Sequence, residues 1–261
     1  YYKWGKNNFM KEKKSTYYEI LKDKYANQIN NIAGCKVNGK LYNLNDEVLE
    51  EGNIEPVMFN SELGMKIYIN TLQFIFIKCA LDLFPKSRIT IQHAFSKSVY
   101  GEIQKETDLT EYEIKAIKNK MIEIINKNMP INISFVEKDK AISIFESYNM
   151  ADKINLLNYT HINNVKLYEL DGYYDYFCGK IAATTGVIKV FDVQKYLNGF
   201  ILRRPDINDL TVIPALAPQK SLSKIFMETE KWLSIIGIGD VGSLNRKIDG
   251  GELQDVIMVC E

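Results

Sequence analysis

The sequence predicts an α+β fold in two parts, a small mixed unit and a larger α+β domain, with a helical C-terminal extension. Three observations predict it. The stretches 62–84 and 110–128 read as helices, one almost continuously apolar and one amphipathic. Short strand-like runs lie between and after them, the first pair joined by Asn38-Gly39, a strong hairpin signal. A Pro-bearing connector, TVIPALAPQK, then leads back into helical periodicity.

Taken in order, STYYEILKDKYANQI places Tyr18, Ile20, Leu21 and Tyr25 on a helical spacing. AGCKVNGKLYNLND gives two short strands around the Asn38-Gly39 turn, and NIEPVMF a closing strand. A buried helix near 62–84 stops before Pro85. RITIQHAFSKSVYGEI reads as two strands. In the next helix Thr110 and Glu113 spell a capping box, each side chain satisfying a free backbone N–H at the helix start. Ile114, Ile117, Met121, Ile124 and Ile125 form its apolar face, and NKNMPI ends it. INISFVE is a strand, and KDKAISIFESY a short helix with Ala141, Ile144 and Phe145 inward. VKLYEL, GYYDYF, GVIKVFDV and GFILRRP are four further strand-like pieces, with Asp171-Gly172 as a turn. In the last helix, SLSKIFMETEKWLSIIG, the candidate core positions are Ile225, Phe226, Trp232 and Ile236. These elements divide the chain into residues 1–60, 61–215 and 216–261.

Hydrophobic residues make up 46% and charged residues 25%, the composition of a folded soluble protein. Thirty-three basic residues balance thirty-three acidic ones, so nucleic acid or membrane would be attracted only by a local patch. Cys35, Cys79, Cys178 and Cys260 stand far apart with no C-x-x-C pair, which points to reduced thiols and a cytoplasmic location. The greasiest run, Met65–Phe84, carries Lys66, Asn70, Gln73, Lys78 and Asp82, as a buried core helix does and a membrane span does not. No apolar signal core opens the chain. It does not begin with Met and stops within GGELQDVIMVCE, partway through an amphipathic pattern, so a fragment of a longer protein is expected.

The stretch SIIGIGDVGSLN contains Gly237-x-Gly239-x-x-Gly242, the spelling of a dinucleotide-binding loop. That motif needs a strand before it and a helix after it. Here the preceding segment is helical, Gly237 falls at a helix C-cap and Ser243 at the N-cap of SLNRKI. A helix–loop–helix corner accounts for all three glycines without a ligand. The other phosphate loop, G-x-x-x-x-G-K-[ST], does not occur.

Preceded by a helix, VNGKLYNLND resembles the latter part of a TGS domain, the β-grasp module of threonyl-tRNA synthetase. LTEYEIKAIKNKMIEIINKNMPI followed by FVEKDKAISIFE resembles the helix–strand–helix of that synthetase's second additional, editing-type domain. Together with HAFSKSVYGEI, VKLYELDGYYDYF, GFILRRP and EKWLSIIGIGDVGSLNRKI, the order is similar to the N-terminal half of a bacterial uridine kinase/phosphoribulokinase-family protein, over most of residues 30–258. That resemblance implies a β-grasp (TGS-like) unit in residues 1–60, an editing-type α+β domain in 61–215, and a helical linker in 216–261 toward a missing kinase domain. It further implies a non-catalytic accessory module of an ATP-dependent nucleoside (uridine) kinase. ATP and Mg²⁺ would then belong to the missing domain, and the partners would be that domain, a nucleoside and a second copy of the chain. The alternatives are an RNA- or protein-binding adaptor, or an aminoacyl-tRNA deacylase-like domain that has lost its metal site.

The synthetase pattern holds a metal-type set, His-x-x-x-His on the first helix and Cys-x-x-x-His after a later strand. Counted back from Pro85, the histidine positions fall at Asn70 and Phe74. The other pair falls at Phe177 or Cys178 and at Ile181 or Ala182, so at best one ligand of four remains and no metal is expected. The histidines present, His93 and His161, lie elsewhere. The candidate ligand pocket is instead His93, Ser96 and Lys97, joined by Asp175, Arg203 and Arg204, with arginine forks suited to a phosphate. A surface loop with a hydrogen-bonded histidine is the alternative reading of the same residues. Tyr173, Tyr174 and Tyr176 are either base-stacking or packing aromatics. No catalytic residue is identified.

Overall fold

The computed structural model describes residues 15–49, 52–95, 97–216, 220–252, 254 and 257–258. Ser96 therefore lies outside the described residues, as does Cys260.

The N-terminal unit begins with helix α1 (Tyr17–Lys24), started by a Thr16/Glu19 capping box. Tyr17 and Leu21 are its buried positions, while Ile20 is exposed, so the inward face sits one residue earlier than the spacing predicts at Tyr18. Strands β1 (Ile32–Val37), β2 (Lys40–Tyr42) and β3 (Ile54–Met58) form an antiparallel sheet in the order β2-β1-β3. Asn38 and Gly39 both take positive φ, 50° and 80°, as the expected hairpin turn requires.

Helix α2 (Glu62–Leu83) is the central pillar, with Leu72, Phe74, Ile75 and Phe76 fully buried. One sheet packs on it in the order β4-β5-β10-β9, from β4 (Arg88–Phe95), β5 (Ser98–Gln104), β9 (Asp192–Tyr196) and β10 (Gly199–Arg203). Its inner face carries Ile89, Ile91, Ile103, Phe200, Leu202 and Val193 into the main core. The capping box predicted for helix α3 (Glu111–Asn126) is present, and all five residues of its apolar face are buried. A third sheet, β6-β7-β8, joins β6 (Asn132–Glu137), β7 (Asn164–Leu170) and β8 (Tyr173–Asp175), with α4 (Lys138–Ser147) packed beside it. All ladders are antiparallel, and the α+β class stands.

Three differences from the sequence reading have physical causes. GVIKVFDV is not one strand. Residues Thr185–Val187 form a 3₁₀ turn, and the Tyr68 hydroxyl takes both the N–H and the C=O of Val190, so pairing starts only at Asp192. A helix not foreseen, α5 (Ala151–Asn158), follows Asn149 at φ 57°. It is short and polar and buries only Leu157 fully, too little to leave a periodic signal. In α6 (Lys220–Ile235), Ile225 and Trp232 are 58% and 57% exposed rather than core, because the helix meets the domain along the Phe226 side.

The junction between the first unit and the rest combines apolar packing with paired amides. Asn43 Oδ1 accepts from the Tyr168 hydroxyl and the Ile181 N–H, while Asn45 Nδ2 donates to the carbonyls of Ile131 and Ala183. Among the described residues, no helix is long and apolar enough to cross a membrane.

Candidate functional site

The outer face of the β4-β5-β10-β9 sheet is polar along the first half of β4, while Tyr100 and Ile201 make a small apolar cluster farther across it. Strand alternation puts Arg88 and Thr90 on it, with Gln104 and Glu102 opposite them on β5. The register shifts between Ile91 and His93, a β-bulge that leaves Gln92 without a partner across the ladder. His93 then stands opposite Tyr100 on this same face, and Arg203 opposite Ser98.

This face forms one wall of a cleft of about 950 Å³. Gln73 and Ile77 of α2 make the floor. Asp152 and Lys153 of α5, with Tyr176 and Phe177 beyond β8, make the other wall. The corner between α6 and α7 (Val241–Asp249) makes the roof with Gly237, Ile238, Gly239, Asp240 and Ser243. The dinucleotide-like glycines are thus a helix–loop–helix corner, as their context implies, with Gly237 at φ 71°. The helix cap differs from expectation: Asp240, not Ser243, is the N-cap. Its carboxylate accepts the Ser243 N–H, and the Ser243 hydroxyl oxygen in turn accepts the Asp240 N–H.

Inside the cleft wall, Arg88 Nε, Thr90 Oγ1 and Gln92 Oε1 are buried with no hydrogen-bond partner. Each such atom costs about 1–3 kcal/mol if nothing satisfies it. Three in a row along one strand, a donor, a hydroxyl and an amide oxygen, make a surface built to receive a polar ligand. Across the cleft, Lys153 pairs with Asp175, which also accepts from the Tyr173 hydroxyl and the Tyr176 N–H. Burial, and then the neighbouring Asp175 charge, hold the Tyr173 phenol well above its ordinary pKa.

The sequence-predicted pocket residues fall in three places. His93 lies beneath α6, its ring stacked on Phe226 at 4.0 Å between centroids and 5.2 Å from Tyr100, with Nδ1 unpartnered. Burial lowers its pKa, and Glu102 opposes that shift. Lys97, Arg203 and Arg204 gather at the end of the same sheet. There Lys97 pairs with Asp206, Arg203 with Asp192 and the Pro214 carbonyl, and Arg204 with the Pro205 carbonyl. Asp175 belongs to the other sheet and has no hydrogen bond or ion pair to these groups. Sequence reasoning missed Arg88, Thr90 and Gln92; their signal was polar alternation inside RITIQHAF.

The four positions expected for a metal-type set do converge. Asn70 Nδ2 donates to the Lys180 carbonyl, Phe74 meets Phe177 edge-on at 5.8 Å, and Ile181 lies in the same hydrophobic cluster. Phe74 also packs on Tyr168 and Tyr173. In the other register Cys178, a free and exposed thiol, and Ala182 take the last two places. With one thiol at most among the four, the residues present offer no tetrahedral donor set for zinc and do not fit a metal there. Among the described residues, no group of three or more His, Cys, Asp or Glu side chains gathers in a way that holds a metal ion.

No protein-family model matches the chain. The chain is 27% identical over 179 residues to the threonine–tRNA ligase of Ehrlichia chaffeensis, covering 68% of this chain and 28% of that protein. It is 28% identical over 179 residues to the Ehrlichia canis threonine–tRNA ligase, with the same coverage. It is 31% identical over 156 residues to that of Chlorobium limicola, covering 59% and 24%. The chain thus spans about a quarter of the length of these relatives. They bear out the synthetase side of the resemblance and overturn the other side: the relatives are ligases, and nothing supports an accessory module of a uridine kinase or a phosphoribulokinase-type protein. The kinase likeness rested on element order and on short segments such as HAFSKSVYGEI and GFILRRP, in a chain that matches threonine–tRNA ligases.

Proposed function

We propose that this chain is an editing-type region of a threonine–tRNA ligase-like protein, one that binds the aminoacylated 3′ end of tRNA without a metal-type hydrolytic centre. The relatives' ligase names support the RNA end as ligand. The observation that carries the reading is the cleft wall of Arg88, Thr90 and Gln92, whose buried polar atoms await partners. A terminal nucleoside ester offers hydroxyl, carbonyl and ring-nitrogen groups to match them. Asn70, Phe74, Phe177 or Cys178, and Ile181 or Ala182 fill the positions where the editing-type pattern holds metal-type ligands, at most one thiol among them, so the chain grips the end and does not cleave it there.

The test uses a tRNA acceptor minihelix ending in CCA and carrying a seryl or threonyl ester. The expected result is saturable binding, weakened about tenfold by Arg88→Gln, a loss of ~1.4 kcal/mol, with ester loss no faster than in buffer. Absence of binding at low salt, or rapid ester cleavage by the wild-type chain, overturns the reading.

A further inference from the structure

Lys40 of β2, Lys166 of β7 and Lys180 of the loop after β8 converge where the N-terminal unit docks on the larger domain. The Lys40 ammonium lies 5.2 Å and the Lys180 ammonium 6.0 Å from the centre of the Tyr42 ring. The Lys166 ammonium lies 5.6 Å from the centre of the Tyr168 ring. The Tyr168 hydroxyl donates to Asn43, next to Tyr42 in sequence, so the two aromatic platforms are held together.

Among the described residues, Asp46 is a carboxylate lying among them, and it is already engaged. It pairs with Lys166 and accepts both the N–H and the side-chain amide of Asn43. Among the described residues, the Lys180 ammonium has no ion pair and donates no hydrogen bond; its contact is the face of Tyr42. Burial lowers its pKa, repulsion from Lys166 and Lys40 adds to this, and Asp46 only partly offsets it. Lys166 and Lys180 are half-buried and Lys40 is exposed. Holding the Lys180 charge half-buried beside Lys166 costs energy that a cation–π contact of ~0.5–1 kcal/mol does not return. An anion with several acceptor oxygens returns it, and lysine is a point-charge binder of phosphate.

We propose that Lys40, Lys166 and Lys180 form a phosphate-binding site at this junction, and that it holds a backbone phosphate of the RNA whose 3′ end enters the cleft. The choice of RNA as the source rests on the function proposed above. Two features favour it over a free anion. The lysines are interleaved with aromatic rings, the arrangement of a strand-tracking groove. Lys180 also follows the cleft residue Phe177 by three positions, at most about 10 Å of chain.

The test is minihelix affinity by fluorescence anisotropy over roughly 50–200 mM salt, for wild type, Lys180→Gln, Lys40→Gln and the uncharged cleft variant Thr90→Val. Inorganic phosphate is titrated alone against the Tyr42 ring resonances. The expected result is an affinity loss of about fivefold for each lysine variant, with the salt slope shallower by about 1. Thr90→Val is expected to weaken binding with the slope unchanged. Lysine variants that bind as wild type while Thr90→Val weakens overturn the phosphate site and leave the cleft reading intact. The reverse pattern sinks the cleft reading and supports the phosphate site. Phosphate-induced shifts without any lysine effect on RNA binding overturn the assignment to RNA.

Discussion

Lys153 and Asp175 form an ion pair across a solvent boundary: the carboxylate is fully buried, and the ammonium side chain, 19% exposed, reaches the cleft. The ammonium also lies 5.7 Å and 5.8 Å from the rings of Phe145 and Phe177. One pair thereby ties α5 to β8 and sets the wall opposite Arg88.

Removing one member of such a pair leaves a buried charge without its counterion, which costs about 3–5 kcal/mol. Lys153→Met keeps the stem packing on Phe145 and Phe177 but strands Asp175 with only the Tyr173 hydroxyl and the Tyr176 N–H. Its urea midpoint should fall well below that of wild type. The double variant Lys153→Met/Asp175→Asn should recover much of the loss. A single variant as stable as wild type would show that the pair is not formed in solution.

Phe74 stands where an editing-type region would carry a metal-type histidine, yet it is fully buried against Tyr168, Tyr173 and Phe177. Phe74→Ala should cost about 3–5 kcal/mol. Phe74→His should cost a comparable amount, because a buried imidazole would find rings rather than hydrogen-bond partners. Chemical denaturation of both variants checks this. A histidine variant near wild-type stability would mean that the position still tolerates a polar ligand.

How much of this was legible in the sequence depends on where the restraint lay. Local signals survived intact: the Thr110/Glu113 capping box, the Asn38-Gly39 turn and the five-residue face of α3. The α+β class followed from them. What the sequence hid was long-range. Tyr68, 122 residues away, prevents Val190 from pairing in a strand, and α5 owes its place to a few tertiary contacts. The cleft was missed for the same reason. Arg88, Thr90 and Gln92 look like the wet side of any strand until α6 and α7 roof them over. Of the positions expected for a metal-type set, Asn70 and Phe74 were counted from Pro85, a fixed helix stop, whereas the second pair had no such anchor and stayed between two registers.

His93 makes the stability of the α6 contact depend on pH. Burial lowers its pKa from the ordinary value of 6.5, against the opposing pull of Glu102. A proton therefore binds the unfolded chain more readily than the folded one. The stabilisation is complete above about pH 6.5 and is lost as pH falls through the lower folded value. The other histidine, His161, is exposed and has no such burial. The urea midpoint should drop as pH falls below about 6.5, and His93→Phe, which keeps a ring against Phe226, should flatten that drop. An unchanged slope in the variant would assign the effect elsewhere.

The glycine corner separates packing from ligand binding. A Cβ at Gly242 would meet the Asn155 Cβ at 2.5 Å and backbone atoms of Asn155 and Leu156 at 2.8 Å, all on α5. At Gly239 nothing lies within 4 Å. Backbone cannot yield as a flexible side chain can, so Gly242→Ala must push α7 off α5, at about 1–3 kcal/mol. Gly239→Ala should change stability by less than about 0.5 kcal/mol. Amide exchange on α5 and α7 reads both: faster exchange for Gly242→Ala and wild-type protection for Gly239→Ala. A nucleotide loop predicts a different pattern, since all three glycines would then be needed for close approach to a phosphate. Loss of protection in both variants would show that Gly239 is constrained by packing as Gly242 is, against the open space around it.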